Sequence, residues 1–439
     1  MSDETVNSWG HYPAYPQTAH ACYWRNEIPA TLSSLAKNHI NTLPFGMGRS
    51  YGDSCLASSN HVLQMSTLNR FISADWEQGI IIAEAGLTIA ELLNVIIPHG
   101  WFIPVTPGTK YVTLGGALAN DVHGKNHHKR GTFGQYVPRF SLIRSDRPAL
   151  ICSAEENSNL YKATIGGLGL TGIIEWVELK LIPIQSSQID TTHIRFNSLA
   201  DFFTLSAELD NQYEYAVAWI DCLAKGSALG RGIYTVGNHA DNGVLTIDNK
   251  SKITVPFAPP ISLVNNLSLR LFNSLYYHAP TKNRQNKQMS YEPFFYPLDR
   301  ILHWNRLYGS RGFQQYQCVI PEEIAEITIH ALLTTIAAAG KGSFLAVLKK
   351  CGSIISPGLL SFPLPGVSLA LDFPQDDILN KRLFPHLDAI IRQANGRLYP
   401  AKDAHMSGED FRQFYPAWQQ VEALRDPALY SHFWRRVIT

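Results

Sequence analysis

Three glycine-rich blocks lie within residues 44–172: GMGRSYGDS (46–54), PGTKYVTLGGALANDVHGKNHHKRGTFG (107–134) and GGLGLTG (166–172). Stretches so poor in side chains build little core, but they let consecutive backbone N–H groups come close to anionic oxygens. The segments between the blocks read as an α/β unit. Residues 80–83 form a buried-strand candidate, and Thr88 and Glu91 have the spacing of a capping box. Leu92, Leu93, Ile96 and Ile97 follow at helical spacing until Pro98 and Gly100 stop the helix. Beyond Gly172 the period changes to two. Val177, Leu179 and Leu181 alternate with Glu178 and Lys180, which predicts a half-buried strand ending at Pro183.

From Gln185 onward glycine thins out and aromatic residues increase. In QYQCVI, Gln315, Gln317 and Val319 share one strand face. Residues 321–340 read as a helix with Ile324, Ile327 and Ala331 inward, and residues 343–350 and 367–374 as two further strands. In the last of these, Val367, Leu369, Leu371 and Phe373 face one way, while Ser368, Ala370 and Asp372 face the other. This order of elements is that of an α+β sheet with helices on one side. From Gly396 the chain returns to loop-plus-helix character around YPAKD (399–403). Residues 267–290 run from an apolar, aromatic half to a basic half with Lys282, Arg284 and Lys287. They read as an exposed loop, with a membrane surface or lipid phosphate as its functional alternative.

Composition excludes several classes. Lys+Arg 37 against Asp+Glu 36 leaves a net charge of +1, without the basic excess of a nucleic-acid binder. The longest apolar run, residues 80–97, is broken by Glu84 and Glu91, and the N-terminus is polar. Six cysteines lie scattered without CxxC pairs, so free thiols in a reducing, cytoplasmic setting are expected. Gly167, Gly169 and Gly172 match GxGxxG, yet they lead into a strand rather than a helix, which argues against a Rossmann nucleotide site. His123, His127 and His128 have no carboxylate or cysteine at ligand spacing and lie in a glycine-rich rather than helical segment, so no metal is expected.

The order and wording of the motifs carry more than their parts. PFGMGRSYGDS, TPGTKYVTLGGALANDVHGKNHHKRGTFG and LYKATIGGLGLTGII together resemble flavoenzymes of the vanillyl-alcohol oxidase/p-cresol methylhydroxylase type. The likeness is strongest to the decaprenylphosphoryl-ribose oxidase subgroup, and it continues through residues 297–321, 360–374 and RLYPAKD (397–403). The resemblance implies a two-domain fold: an FAD-binding domain (1–185), an antiparallel-sheet substrate domain (186–395) and a C-terminal return to the first (396–439). It implies FAD held by Gly46, Met47, Gly48, Arg49, Ser50, Tyr51, Gly52, Asp53, Ser54, Gly108, Thr113, Leu114, Gly115 and Gly116. Asn120, Asp121, His123, Gly124, Ile174 and Tyr399 complete that set, with Lys125 and Asn126 ordering the same loop. Arg49-Ser50-Tyr51 stands where covalent relatives carry a histidine, so the FAD is expected to be non-covalent.

By the same resemblance Lys402 is the catalytic candidate, as orienter of the substrate hydroxyl, stabiliser of reduced flavin or base, with Tyr51 beside it. Gln315, Gln317, Lys349, Ser368 and Ala370 match the substrate cavity, and Lys349 suits a phosphate. Ser368 and Ala370 stand where the mycobacterial type has Asn and Cys, and Ala346 replaces another Asn. The implied activity is oxidation of the 2′-hydroxyl of a polyprenyl-phosphate pentose, the first half of an epimerisation completed by a short-chain reductase. Quinone or oxygen is the implied electron acceptor. A same-fold oxidase of a free sugar, aldonolactone or polyol is the alternative, and a non-catalytic lipid binder that kept the fold is a second rival.

Overall fold

The computed structural model describes residues 4–248 and 252–439. The expected α/β unit is present. Ile80–Glu84 is a strand and Ile89–Ile96 a helix. Thr88 Oγ1 accepts from the N–H of Glu91 at 3.2 Å, while the Glu91 carboxylate accepts from the N–H of Thr88 at 2.8 Å. Gly100, at φ 78°, ends the turn that Pro98 begins. The strand after Gly172 starts at Ile173, earlier than its alternation suggests. It runs between Ile80–Glu84 and Arg139–Ile143 in a five-stranded antiparallel sheet, so its first residues are buried on both faces and show no period.

An eight-stranded antiparallel sheet takes in strands from Gln188–Phe196 to Arg397–Leu398. Its core side packs against the helices Leu199–Leu209, Ala325–Ala338 and Phe384–Gln393, through residues such as Phe202, Ile329, Leu333 and Ile391. Val367, Leu369, Leu371 and Phe373 join that core, as their alternation requires. The register opposite is what matters for the site. Gln315 pairs with Asp372, Gln317 with Ala370, and Lys349 with Ser368, so these six residues share the helix-free face.

Two expectations need correction. The helix Ala325–Ala338 buries Ala325, Thr328, Ile329, Leu332, Leu333 and Ile336, whereas Ile324 and Ile327 are exposed and Ala331 is only partly buried. Apolar residues surround this helix, so spacing alone does not single out a face. Residues 267–290 are not a loop: they hold the helix Asn266–His278 and the edge strand Arg284–Ser290. Asn265 caps that helix by accepting from the N–H groups of Leu267 and Ser268, and it buries only Leu269, Asn273 and Tyr277. Leucines on both faces hid the period.

The tail carries three short helices, Gly408–Phe414, Trp418–Leu424 and His432–Ile438. Bridges of Thr42 to Leu429 and Ala57 to Ser431 lay it against the N-terminal strands. All six cysteines are unpaired, Cys55 half-buried and the others buried. Among the described residues, no helix is long and apolar enough to cross a membrane.

Candidate active site

A cavity of about 410 Å3 runs between the glycine blocks and the helix-free face of the large sheet. One end is mostly backbone. The strand Pro44–Phe45 delivers the chain into a loop where Gly48 has φ 60°. The N–H groups of residues 47–50 find no protein acceptor among the described residues. Across the loop, Thr113 caps the helix Leu114–Ala119 by accepting from the N–H of Gly116 at 3.1 Å. A Cβ on Gly46 would meet that same Thr113 hydroxyl at 2.5 Å, while one on Gly108 would meet nothing within 4 Å. Ser54 Oγ is buried without a partner among the described residues. Arg49 lies over Trp9, 3.9 Å from the ring centroid. Free amides, missing side chains and a guanidinium fit the diphosphate of FAD.

The other end is built by the YPAKD turn. Tyr399 donates its hydroxyl to the carbonyl of Asn120 at 2.9 Å and its N–H to the carbonyl of Gln317 at 3.0 Å, which locks the turn between the glycine helix and the sheet. Lys402 then points inward, its Nζ 3.8 Å from the centroid of the buried Tyr51 ring. Burial drives the Lys402 ammonium down from the usual lysine range, and the Asp372 carboxylate opposes that shift. Asp372 is itself pushed up by burial, against the pull of Gln315 and Lys402. Its Oδ1 accepts from Nε2 of Gln315 at 2.6 Å, and its Oδ2 is buried without a partner among the described residues. Burial likewise raises the Tyr51 phenol.

His123 sits where these parts meet. The Lys349 ammonium donates to its Nδ1 at 2.7 Å and the Gln317 amide lies 3.2 Å from its Nε2. Burial first, then Lys349, holds the imidazole well below its ordinary pKa, so it is neutral. Burial also takes Lys349 to about 8 and, with help from Lys349, Lys125 to about 8.

The structure brings most of the expected residues to this cavity. Gly46 to Tyr51, Ser54, Gly108, Thr113, Gly115, Gly116, Asn120, His123, Gly124, Ile174 and Tyr399 line it, as do Gln315, Gln317, Lys349, Ser368, Ala370 and Lys402. Four do not. A Cβ on Gly52 would lie 1.8 Å from the carbonyl oxygen of Asp403, so this glycine permits a backbone contact. Asp53 pairs with Arg436 at 2.8 Å, Leu114 belongs to the core, and Asp121 accepts from the Gly134 N–H at 2.8 Å and from the Ser356 and Ser361 hydroxyls. These residues hold the loops from behind. His127–Arg130 is one helical turn, not the irregular segment expected. His127 Nδ1 accepts from the Gly352 N–H at 3.1 Å, and His128 donates to the Tyr213 carbonyl at 3.1 Å. Residue reasoning did not single out Trp9, Asp372 or the apolar wall of Phe295, Leu298, Leu302 and Trp304. The alternation that put Asp372 on the Ser368 face was the available signal for it.

A family model described as an FAD binding domain matches residues 22–146. Decaprenylphosphoryl-β-D-ribose oxidase of Mycolicibacterium smegmatis is 34% identical over 399 residues, covering 87% of this chain and 85% of that one. An uncharacterised Streptomyces coelicolor protein is 30% identical over 77% of this chain and 95% of its own. L-gulonolactone oxidase of Mus musculus is 27% identical over a shorter stretch, 36% of this chain and 35% of that enzyme. With that much of both sequences aligned to the Mycolicibacterium enzyme, the chain belongs to the decaprenylphosphoryl-β-D-ribose oxidase family of FAD-dependent oxidoreductases acting on CH–OH groups.

Proposed function

We propose that this enzyme oxidises the 2′-hydroxyl of a polyprenyl-phosphate-linked pentose to a ketone, the first half of an epimerisation. A short-chain reductase would then return hydride to the opposite face, and quinone or oxygen would reoxidise the enzyme. The observation that carries the reading is the pairing of the amide loop of residues 47–50 with Lys402 and Tyr51 in one cavity.

The diphosphate of FAD would lie against the loop of residues 46–50, Gly108 and the Thr113 turn, with Asn120, His123, Ile174 and Tyr399 around the ring system. Neither arm of the Arg49-Ser50-Tyr51 loop offers an imidazole, which supports non-covalent binding. Bound FAD supplies a hydride acceptor. Lys402 Nζ, with its basicity lowered by burial, takes the proton of the substrate hydroxyl. Tyr51 forms the floor on which that amine rests, and Asp372 sets its charge. Gln315, Gln317, Lys349, Ser368 and Ala370 would contact the sugar and its ester.

We assign residues 1–185 and 396–439 to an FAD-binding lobe and 186–395 to a substrate lobe. Arg436, held by both Asp53 and Asp403, supports the return of the tail to the first lobe. We further place the enzyme in the cytoplasm, peripheral on a membrane through the exposed apolar side of the helix Asn266–His278.

Anaerobic mixing with polyprenyl-phosphoryl pentoses should bleach the flavin. Lys402→Ala should retain FAD and lose the bleaching; near-normal reduction by that variant removes the catalytic assignment. The partial match to L-gulonolactone oxidase supports a second reading, oxidation of a free aldonolactone, which bleaching by the soluble lactone but not the lipid-linked sugar would favour.

A further inference from the structure

Four long cationic side chains reach the wall of the cavity: Arg49, Lys125, Lys349 and Lys402. Arg49 feels the carboxylate of Asp299 and Lys402 that of Asp372, each raising the neighbouring cation's affinity for its proton. Lys125 and Lys349 have no such partner among the described residues. Lys349 Nζ donates to the Gly124 carbonyl and to His123 Nδ1, both at 2.7 Å. Lys125 Nζ reaches the Phe295 carbonyl at 3.3 Å and lies 5.8 Å from the Phe294 ring centroid. His123 is neutral, so it balances neither amine.

Elsewhere several enclosed cations meet an acid. Lys110 meets Glu292 at 2.6 Å, Arg144 meets Asp146 at 2.9 Å, and Arg436 meets Asp53 and Asp403. Two neighbouring amines enclosed without an acid are costly, and the cost is relieved when an anion enters. Lys349 Nζ reaches the same His123 ring that Tyr399 abuts at 5.7 Å, so the pair lies beside the turn that carries Lys402, as a phosphate one carbon away from the reacting hydroxyl requires.

We propose that Lys125 and Lys349 form the seat of a phosphate ester, the diester of a lipid-phosphoryl sugar whose hydroxyl lies at Lys402. This rests on the sugar-oxidation reading above, and it adds Lys125 as the second anion-binding group. A two-pronged ammonium seat suits a phosphate that carries charge on two free oxygens, whereas the neutral ring of an aldonolactone leaves both amines unanswered.

The test titrates the FAD-loaded enzyme anaerobically with farnesylphosphoryl-ribofuranose and with farnesyl ribofuranoside, which has the tail and sugar but no phosphate. Ribose 5-phosphate serves as a tail-free phosphate. Binding is read from the flavin absorbance change and reduction from its bleaching. The unmodified enzyme should bind the diester at least tenfold more tightly than the glycoside. Lys125→Met and Lys349→Met should each collapse that ratio toward one, Lys125→Arg should restore most of it, and the flavin spectrum should stay the same. Weaker but lysine-dependent binding of ribose 5-phosphate would identify the seat as one for phosphate in general. An unchanged ratio in both Met variants, or loss of FAD from them, overturns the seat. A diester that binds through the lysines without bleaching overturns the oxidation reading and leaves the seat standing. A diester that bleaches but binds no better than its glycoside does the reverse.

Discussion

Lys402 rests its ammonium 3.8 Å above the ring of Tyr51, with Asp372 as the carboxylate that opposes the loss of its proton. The base we propose, Lys402, must be unprotonated to act, so the flavin bleaching rate should climb with pH through its titration and fall away on the acid side. Burial lowers that titration and Asp372 raises it. Asp372→Asn removes the raising influence, so the acid limb should move to lower pH, by about one unit or ~1.4 kcal/mol. Stopped-flow reduction across pH reads this directly, and a limb that moves upward refutes Asp372 as the partner of Lys402.

Gly108 and Gly52 separate a residue that lines the cavity from one that faces the protein. A side chain at Gly108 meets no protein atom within 4 Å, whereas one at Gly52 collides with the Asp403 carbonyl at 1.8 Å. Gly108→Val should therefore leave the melting temperature of the FAD-free protein unchanged while weakening FAD binding by about tenfold, ~1.4 kcal/mol. Gly52→Ala should lower the melting temperature of the FAD-free protein as well. Fluorescence titration with FAD and parallel thermal melts distinguish the two patterns.

Both glycines belong to motifs that look alike on paper, which shows where sequence reasoning stops. The spacing of Thr88 and Glu91 located a helix start because a capping box is a local structure, complete within four residues. The alternation of residues 367–374 assigned Ser368 and Ala370 to the cavity face because strand period is equally local. Asp53 and Asp121 sit in the same motifs as true wall residues, yet they bond Arg436 and the Gly134 N–H, partners supplied by distant or folded-back chain. The exposed Ile327 misled because an apolar side chain carries no mark of the face it takes. Lys125 drew only a loop-ordering reading, since its lack of a carboxylate becomes visible only when Lys349 is brought beside it.

Arg436 joins the glycine block to the YPAKD turn. Its guanidinium lies 2.8 Å from Asp53 and 2.9 Å from Asp403, whose side chains are 3% and 1% exposed. Arg436→Met leaves Asp53 enclosed without its cation and Asp403 with His405 alone, a loss on the order of 3–5 kcal/mol. Urea denaturation should show a destabilisation of that size. Asp403 carries the turn that ends in Lys402, so the variant should also reduce flavin bleaching without a matching loss of bound FAD. A variant as stable as the parent would show that this ion pair does not hold the turn.

The helix Asn266–His278 presents Leu267, Leu271 and Leu275 to solvent at four-residue intervals, 79%, 61% and 64% exposed. Residues 249–291 contain six Lys and Arg and no Asp or Glu, in a chain whose charges otherwise nearly cancel. An apolar ridge in an acid-free basic segment suits an anionic bilayer, each basic group near the surface adding about 1 kcal/mol. The same segment adjoins the cavity, because Ile253 pairs with Ile301 and Ile301 lines the wall. A lipid tail leaving the cavity there would already lie at the membrane. Sedimentation with vesicles should show binding that rises with phosphatidylglycerol content and falls with salt. Replacing all three leucines by Ser should abolish it while leaving the reaction with a short-tailed soluble substrate intact. Equal binding to neutral vesicles, or no binding to anionic ones, would leave this ridge to a protein partner instead.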